Sequence, residues 1–215
     1  MNVDTQQLKL KHPFTLICAG PTGSGKTILI AKILENYKLM TKPVPEKIIY
    51  CYSIWQDMFK NMLEVNPNIV FVQDMIMDDQ IDPSKRNLII LDDLMDESKD
   101  SGVLSKLFTK GSHHRNISVV FISQNLFIQG KYTRTISLNS HYMIIFKNPR
   151  DKAQFSHLAR QMFPDNTRYL NECFMDATSL PHGYLFLDFK QDTQEILRVR
   201  SNILPNDKTI VYIKK

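Results

Sequence analysis

The sequence predicts an α/β fold with a mainly parallel β-sheet flanked by helices and a C-terminal antiparallel hairpin. Short apolar runs rich in Val, Ile and Leu alternate with helix-like stretches, and such runs are typical of parallel strands covered on both faces. Two late apolar runs, 183–188 and 196–199, follow each other closely enough to pair as a hairpin. The other predicted strands are 14–19, 47–52, 69–72, 87–91, 118–123 and 141–146.

The stretches between these strands have the apolar spacing of helices. The first predicted helix begins at Lys26 and ends near Tyr37, before Pro43 and Pro45 interrupt the chain. A length of 215 residues with 43% hydrophobic residues suits one domain spanning residues 1–215. The remaining predicted helices are 55–63, 103–109, 133–138, 151–162 and 168–178.

Composition excludes several classes of protein. The apolar runs are shorter than the ~20 residues that span a bilayer, and the N-terminus has no signal-peptide layout. Cys18, Cys51 and Cys173 lack metal-ligand spacing and are odd in number, so we expect reduced cysteines in an intracellular protein without a membrane partner. The net charge of +5 favours a polyanionic partner, although many basic proteins bind no nucleic acid.

A glycine-rich loop between the first strand and the first helix has the pattern Gly-x-x-x-x-Gly-Lys-Thr. Glycine lets the backbone curl so that its N–H groups face a phosphate, and the helix N-terminus adds to that attraction. Lys26 would reach the β- and γ-phosphates, and the Thr27 hydroxyl would ligate Mg²⁺. The predicted nucleotide-binding residues are Gly20, Pro21, Thr22, Gly23, Ser24, Gly25, Lys26 and Thr27.

The alternative interpretation of this loop is a glycine-rich turn with an incidental Lys and Thr. The strand before the loop and the helix after it favour phosphate binding. The loop itself does not separate ATP from GTP. The Asn-Lys-x-Asp motif by which GTPases recognise guanine does not occur in the sequence, so we expect ATP as the nucleotide.

Two carboxylates follow the strongly apolar strand 87–91. Ligands of open α/β sheets bind at the carboxyl ends of the strands, so Asp92 would hold Mg²⁺ through water and Asp93 would orient or deprotonate the attacking water. Many P-loop ATPases have Glu at the second position, and Glu97 is therefore an alternative base. Taken alone, two Asp residues after a strand often only begin a turn or cap a helix, but together with the glycine-rich loop they favour the metal and base roles.

A third apolar strand, 118–123, ends in Gln124. In one large division of P-loop ATPases such a strand lies between the loop strand and the acidic strand, which would place Gln124 against the γ-phosphate or the attacking water. The alternative is a glutamine in an exposed turn. Just before this strand, Arg115 is a candidate for a catalytic arginine supplied to a neighbouring subunit, with Arg134 and Arg150 as rivals.

The region from the acidic pair onward resembles a known family. The segments 111–127, 129–142 and 146–151 resemble the genome-packaging ATPases of the poxvirus type and, more closely, those of Polinton (Maverick) transposons and adintoviruses, within the FtsK–HerA superfamily. The resemblance covers about residues 12–165, the expected core, and leaves 166–215 as a C-terminal extension. By this resemblance, the loop lysine and threonine of the family correspond to Lys26 and Thr27. Its acidic pair corresponds to Asp92 and Asp93, and its glutamine corresponds to Gln124.

The resemblance implies a RecA-like core, a homo-oligomeric ring (hexamer or pentamer), and ATP-driven translocation of double-stranded DNA into a capsid. The implied partners are double-stranded DNA and a capsid or portal vertex, and the implied location is the host nucleus or a virus factory, with the virion as a further possibility. Candidate residues for gripping DNA are Lys131, Arg134, Lys152, Lys214 and Lys215.

Two other functions remain open from the sequence. A nucleotide kinase is also a P-loop protein, but it needs an arginine-rich lid, and the strand ending in Gln124 argues against it. A capsid-assembly switch that binds ATP without moving DNA is the second. Stimulation of ATP hydrolysis by DNA would separate the packaging motor from both.

Overall fold

A computed structural model of the protein describes residues 5–77, 80–94, 101–111, 116–127 and 133–214. In this part of the chain two β-sheets form, and the larger contains nine strands. The strands are β1 Leu10–Lys11, β2 Thr15–Ala19, β3 Thr41–Lys42, β4 Lys47–Tyr52, β5 Ile69–Gln73, β6 Asn87–Asp92, β7 Ile117–Ser123, β8 Tyr142–Phe146, β9 Tyr184–Asp188, β10 Val199–Ser201 and β11 Ile210–Val211.

Helices connect these strands and cover the sheet. They are α1 Lys26–Glu35, α2 Tyr37–Met40, α3 Met58–Val65, α4 Ser101–Lys106, α5 Thr133–Leu138, α6 Ala153–Met162 and α7 Thr167–Ala177. The predicted helix 26–37 is divided at Asn36, whose φ of −107° leaves the helical region. A π-helical turn, Leu107–Gly111, continues α4. Among the described helices, none is long and apolar enough to cross a membrane.

The strand order of the large sheet is β11-β10-β9-β8-β2-β7-β6-β4-β5. The strands from β8 to β5 pair in parallel, whereas β9, β10 and β11 add antiparallel strands at one end. This confirms the predicted fold class. It also confirms that the strand ending before Gln124, β7, lies between β2 and the acidic strand β6.

Apolar residues fill both faces of the sheet. Along β2, Leu16 and Cys18 face the side covered by α1 and α3, whereas Ile17 and Ala19 face the side covered by α4, α6 and α7. This alternation follows from the two-residue period of a strand. All three cysteines are buried and free, in agreement with the interpretation of them as reduced core residues.

The end of the chain differs from the sequence prediction. The predicted antiparallel hairpin is confirmed, but its second strand is β10, which begins at Val199 opposite Leu187, after a 3₁₀ turn over Glu195–Leu197. The predicted bounds 196–199 were wrong because Arg200 lies inside the strand with its side chain buried, and arginine is rarely buried unless it is paired. The short parallel pair of β1 and β3 was not predicted.

Candidate active site

The glycine-rich loop joins β2 to α1 at the carboxyl edge of the parallel strands. Gly25 has a φ of 104° and Gly23 a φ of 77°, both in the region that disfavours side chains. At Gly20 a Cβ atom would lie 2.6 Å from Cβ of Phe146. The Gly20 N–H donates to the Ser123 carbonyl at 3.2 Å, which ties the loop to the end of β7.

Lys26 lies inside the curve of this loop. Its Nζ donates to the Gly20 carbonyl at 2.6 Å and to the Pro21 carbonyl at 3.0 Å. Burial lowers the pKa of Lys26, and the nearby Cys18, Asp92 and Asp93 oppose that shift. The Ser24 hydroxyl in the same loop is buried and has no hydrogen-bond partner among the described residues. An orphaned hydroxyl and a buried ammonium within one loop fit an anionic ligand.

Asp92 ends β6 and is only 5% exposed. Its Oδ2 accepts a hydrogen bond of 2.6 Å from the Tyr50 hydroxyl on β4, and the Thr27 side chain also bonds to this carboxylate. Burial raises the pKa of Asp92, while the bonds from Tyr50 and Thr27 oppose the increase. The carboxylate and the Thr27 hydroxyl form the pair of hard oxygen ligands that Mg²⁺ prefers.

Asp93 and Gln124 meet across the neighbouring ends of β6 and β7. Gln124 Nε2 lies 3.2 Å from Oδ1 and 3.4 Å from Oδ2 of Asp93, so the amide donates to the carboxylate. Asp93 has a φ of 54°, which is strained for a residue other than glycine. Both side chains are exposed. Strain of this kind is frequent at functional sites.

Lys26, Thr27, Asp92, Asp93 and Gln124 line one cavity of about 340 Å³, which we call the phosphate cavity. Small-molecule sites measure about 300–1,000 Å³, so the volume suits part of a nucleotide. The predicted residues in its lining are Thr22, Gly23, Gly25, Lys26, Thr27, Asp92, Asp93 and Gln124, and the further ones are Ile28, Gln56, Met58, Ile122, Ser123 and His182.

Sequence reasoning missed two residues of this site. Tyr50 is one of two hydroxyl-bearing residues, with Tyr52, in the mostly apolar strand β4, which was the one available signal. His182 has a φ of 60°, and its Nδ1 lies 3.0 Å from the Ser24 carbonyl. No local pattern marks His182, because it lies 158 residues from Ser24 in the chain.

Several predicted residues lie outside the described part of the chain. They include Arg115, Glu97, Lys131 and Lys215. Arg150 is exposed and does not line the phosphate cavity. In the described ranges no group of three or more His, Cys, Asp and Glu side chains is arranged to hold a metal ion. Among the described residues of this site, Thr27 and Asp92 are the ones that would hold a metal ion.

The parallel sheet has a glycine-rich loop between a strand and a helix at the carboxyl ends of its strands. This arrangement defines the class of P-loop NTPases, to which the P-loop ATPases belong. A sequence model of the family described as "Poxvirus A32 protein" matches residues 2–148 of the 215-residue chain, which is more than half of it. The protein belongs to this poxvirus A32 protein family. No curated protein sequence matches the chain significantly.

Solved structures are similar to the chain at low sequence identity. The genome packaging NTPase B204 from Sulfolobus turreted icosahedral virus 2, in complex with ATP-gammaS, has a TM-score of 0.54 and 11% identity, over 94% of this chain and 97% of that one. The KaiC-like protein PH0186 from Pyrococcus horikoshii OT3 has a TM-score of 0.49 and 12% identity, over 94% and 90%. The likeness to B204 shows that the two proteins share a fold.

Proposed function

We propose that this protein is the ATPase of a DNA-packaging motor, which hydrolyses ATP to translocate the double-stranded genome of a virus or virus-like transposon into a capsid. The observation that carries the proposal is that Lys26, the Asp92–Asp93 pair and Gln124 line one cavity in a member of the poxvirus A32 family. The B204 protein, which has the same fold, is a viral genome packaging NTPase with ATP-gammaS bound.

In this proposal the loop residues 20–27 bind the phosphates of ATP. The N–H groups of the loop and of the first turn of α1 bind phosphate oxygens. The Ser24 hydroxyl, which has no partner among the described residues, donates to a phosphate. Lys26 exchanges the Gly20 and Pro21 carbonyls for the β- and γ-phosphates, and this exchange places its charge where negative charge is densest.

Thr27 and Asp92 are the residues that would hold Mg²⁺. When bound, the ion neutralises charge that develops on the β- and γ-phosphates. Tyr50 orients Asp92 by donating to one carboxylate oxygen, which leaves the other side of the carboxylate for the metal or its water ligands. Burial of Asp92 disfavours its ionised form, and a bound cation would offset that cost by favouring the carboxylate.

Asp93 is the proposed residue that positions or deprotonates the attacking water. Its hydrogen bond with Gln124 holds the carboxylate at the end of β6. When Gln124 turns to the γ-phosphate, Asp93 is released to contact the water. Gln124 would thereby couple the presence of the γ-phosphate to the readiness of the base.

The remaining parts of the proposal concern assembly. Residues 1–215 form one ATPase domain of the FtsK–HerA superfamily, which assembles as a homo-oligomeric ring at a capsid or portal vertex in the infected or host cell. Arg115 acts on the nucleotide of the adjacent subunit. The net charge of +5 supports contact with the DNA backbone, which needs no reading of sequence.

The test is ATP hydrolysis by the purified protein with and without linear double-stranded DNA, across a salt series. We expect DNA to stimulate turnover several-fold and the stimulation to fade as salt rises, since phosphate contacts release counterions. The matched control is Lys26→Ala, whose turnover should be about 10²–10³-fold lower both with and without DNA.

Hydrolysis that is indifferent to DNA at every salt concentration would contradict a DNA motor and favour the capsid-assembly switch. Phosphoryl transfer from ATP to a nucleoside monophosphate, measured in the same assay by product analysis, would favour the nucleotide kinase. A trans role for Arg115 predicts that Arg115→Ala subunits reduce the activity of mixed rings by more than their share of the mixture.

A further inference from the structure

A second cavity shares Gln124 with the phosphate cavity. Its volume is about 310 Å³, and it lies between the carboxyl ends of β2 and β8 and the helices α6 and α7. Ala19 and Phe155 in its wall belong to the core on the side of the sheet that α6 and α7 cover. The cavity therefore lies on that face of the sheet, and we call it the α6–α7 cavity.

The wall of the α6–α7 cavity is mainly apolar. The rings of Phe155 and Phe174 stack with their centroids 3.9 Å apart, and Met175 is 72% exposed. A concave apolar site of this size is typical of a binding site rather than of an ordinary surface. The apolar residues of the lining are Ala19, Leu126, Ile145, Phe146, Phe155, Phe174 and Met175.

Two lysines on the rim of this cavity form no ion pair with any described residue. They are Lys147 and Lys152, and both are exposed. The carboxylate beside them, Asp151, already accepts from the Ala153 N–H at 3.1 Å and from Gln154 Nε2 at 2.7 Å. An occupant that suits the cavity is therefore apolar and has a carboxylate next to its apolar part.

The segment 54–57, between β4 and α3, has this composition. Ile54 is 76% exposed and Trp55 is 42% exposed, and the Asp57 side chain is 95% exposed in a surface pair with Lys60, which is a weak contact. The Trp55 ring lies edge-on to three aromatic rings at centroid distances of 5.4–5.5 Å. Because its geometry is fixed before docking, little entropy is lost in a contact, and tryptophan often dominates the energy of interfaces.

The segment 54–57 does not lie near the cavity of its own chain. Trp55 packs on Phe59 and Phe71, which are on the side of the sheet covered by α1 and α3. In the sheet, β4 is also four strand steps from β8, or about 19 Å at ~4.8 Å per step. Complementary surfaces on opposite faces of one chain produce a head-to-tail contact between copies, which closes into a ring when the rotation between subunits allows it.

We infer that the segment 54–57 of one subunit docks in the α6–α7 cavity of the next subunit. Ile54 and Trp55 contact the apolar wall, and Asp57 lies beside the rim lysines. This inference rests on the proposed function, because it names the contact that joins the subunits of the ring. Gln56 lines the phosphate cavity of its own subunit, and Gln124 lines both cavities of the next. The contact thereby links the nucleotide sites of adjacent subunits.

The test is the oligomeric state of the full-length protein, measured by sedimentation velocity over a concentration series with Mg²⁺ and ATP-gammaS. The first variant is Ile54→Lys, which removes an exposed apolar side chain and adds a positive charge opposite the rim lysines. We expect subunit association to weaken about tenfold or more. The matched control is Leu39→Lys, which should assemble normally, because Leu39 is 60% exposed on α2 and does not line the α6–α7 cavity.

The second variant blocks the cavity instead of the segment. Ser156 lines the cavity from α6, so Ser156→Trp would fill it and should weaken association as Ile54→Lys does. An equal mixture of the two variants is then the diagnostic sample. Each variant keeps one intact surface, so a head-to-tail contact predicts dimers with one chain of each kind and no rings.

A charge exchange tests the polar half of the contact at exposed positions, where folding is least disturbed. Asp57→Lys should weaken association several-fold, because it brings a third positive charge to the two rim lysines. Adding Lys147→Glu and Lys152→Glu to the same chain should restore association, since the charges are then exchanged across the contact.

Normal assembly of both Ile54→Lys and Ser156→Trp would overturn this contact while leaving the ring and the ATPase of the proposed function in place. A mixture that stays monomeric, or a charge-exchanged chain that does not recover, would overturn it as well. If the unchanged protein stayed monomeric at every concentration with nucleotide and linear double-stranded DNA present, the ring of the proposed function would fail and the contact with it.

Discussion

Two buried aspartates lie in the same sheet, at opposite ends of its strands. Asp92 ends β6 at the edge that carries the phosphate loop, and it is 5% exposed. Asp188 ends β9 and is 2% exposed. Because β9 runs antiparallel to β8, Asp188 is placed opposite Tyr142, the first residue of β8, at the far edge. Burial raises the pKa of both carboxyl groups.

The partners of the two aspartates differ. Arg200 donates to Asp188 Oδ2 at 3.0 Å, and the Thr193 hydroxyl and the Lys190 N–H donate to Oδ1 at 2.9 and 3.1 Å. The Arg200 side chain is itself only 1% exposed, and its guanidinium lies 4.7 Å from the Phe186 ring centroid. Asp188 therefore has a cation and hydrogen bonds to both oxygens.

Asp92 has a neutral hydroxyl where Asp188 has a guanidinium. Tyr50 and Thr27 bond to it, while the nearby Lys26 bonds to the Gly20 and Pro21 carbonyls. Among the described residues, Asp188 and Arg200 form a direct buried ion pair and Asp92 forms none. The comparison teaches that a buried carboxylate with its cation in place is costly to disturb, because removal of either partner leaves an uncompensated charge, whereas one without a direct cation is suited to bind a metal ion.

The largest effect is expected from breaking the structural pair. Arg200→Met leaves Asp188 buried without its cation, which should lower the free energy of unfolding by about 3–5 kcal/mol, measured by urea denaturation. Adding Asp188→Asn to this variant should restore much of the loss, because the uncompensated charge is then removed. A cost below about 1 kcal/mol for Arg200→Met would contradict a structural role for the pair.

The second-largest effect is expected from removing the positive charge of Lys26 in the glycine-rich loop. Lys26→Ala should reduce ATP hydrolysis about 10²–10³-fold, the range seen when one preorganised transition-state contact is lost. Steady-state turnover measures the effect, and the exposed Lys38→Ala on α2 is the control, which should keep normal activity. Turnover retained in Lys26→Ala would remove the loop from the mechanism.

Asp92→Asn should separate activity from stability. Hydrolysis should fall on the order of 100-fold, while the nucleotide-free protein becomes more stable at neutral pH. The folded pKa of Asp92 is raised, so its contribution to stability is present in acid and is lost as pH rises through the folded pKa.

Asn carries no charge at any pH, so the stabilisation should appear at pH 7 and vanish in acid. Thermal midpoints between pH 4 and 8 would show this trend. The same substitution at Asp188 should destabilise the protein at pH 7, because it leaves Arg200 without its anion. If Asp92→Asn and Asp188→Asn changed the stability at pH 7 in the same direction, the proposed difference between the two aspartates would be contradicted.

The smallest effect is expected at the hydroxyl that holds Asp92. The Tyr50 hydrogen bond lowers the pKa of Asp92 against the effect of burial. Tyr50→Phe should therefore raise that pKa further and move the acidic limb of the kcat/KM profile to higher pH, with a change of only a few-fold near neutrality. Tyr52→Phe is the control, because Tyr52 lies on the same strand two residues away. If Tyr50→Phe and Tyr52→Phe had the same acidic limb, the result would argue against the role of Tyr50.

The fold class was predictable because its signals are local. The apolar runs of β2, β6 and β7 are fully buried in the structure, as continuous apolar strands of a covered parallel sheet should be. The meeting of Asp92, Asp93 and Gln124 with the loop was predictable for a related reason. Parallel strands present their carboxyl ends at one edge, so residues that follow them lie close together.

The sequence by itself determined the phosphate loop, the acidic pair and the alternation of strands and helices, since each depends on residues near one another in the chain. Only the tertiary structure decided that Tyr50 bonds to Asp92, that His182 reaches Ser24 across 158 positions, and that Arg200 is buried against Asp188. These contacts depend on strand order and register, which bring distant residues together. The packing that sets them also decides which buried carboxylate receives a cation from the protein itself.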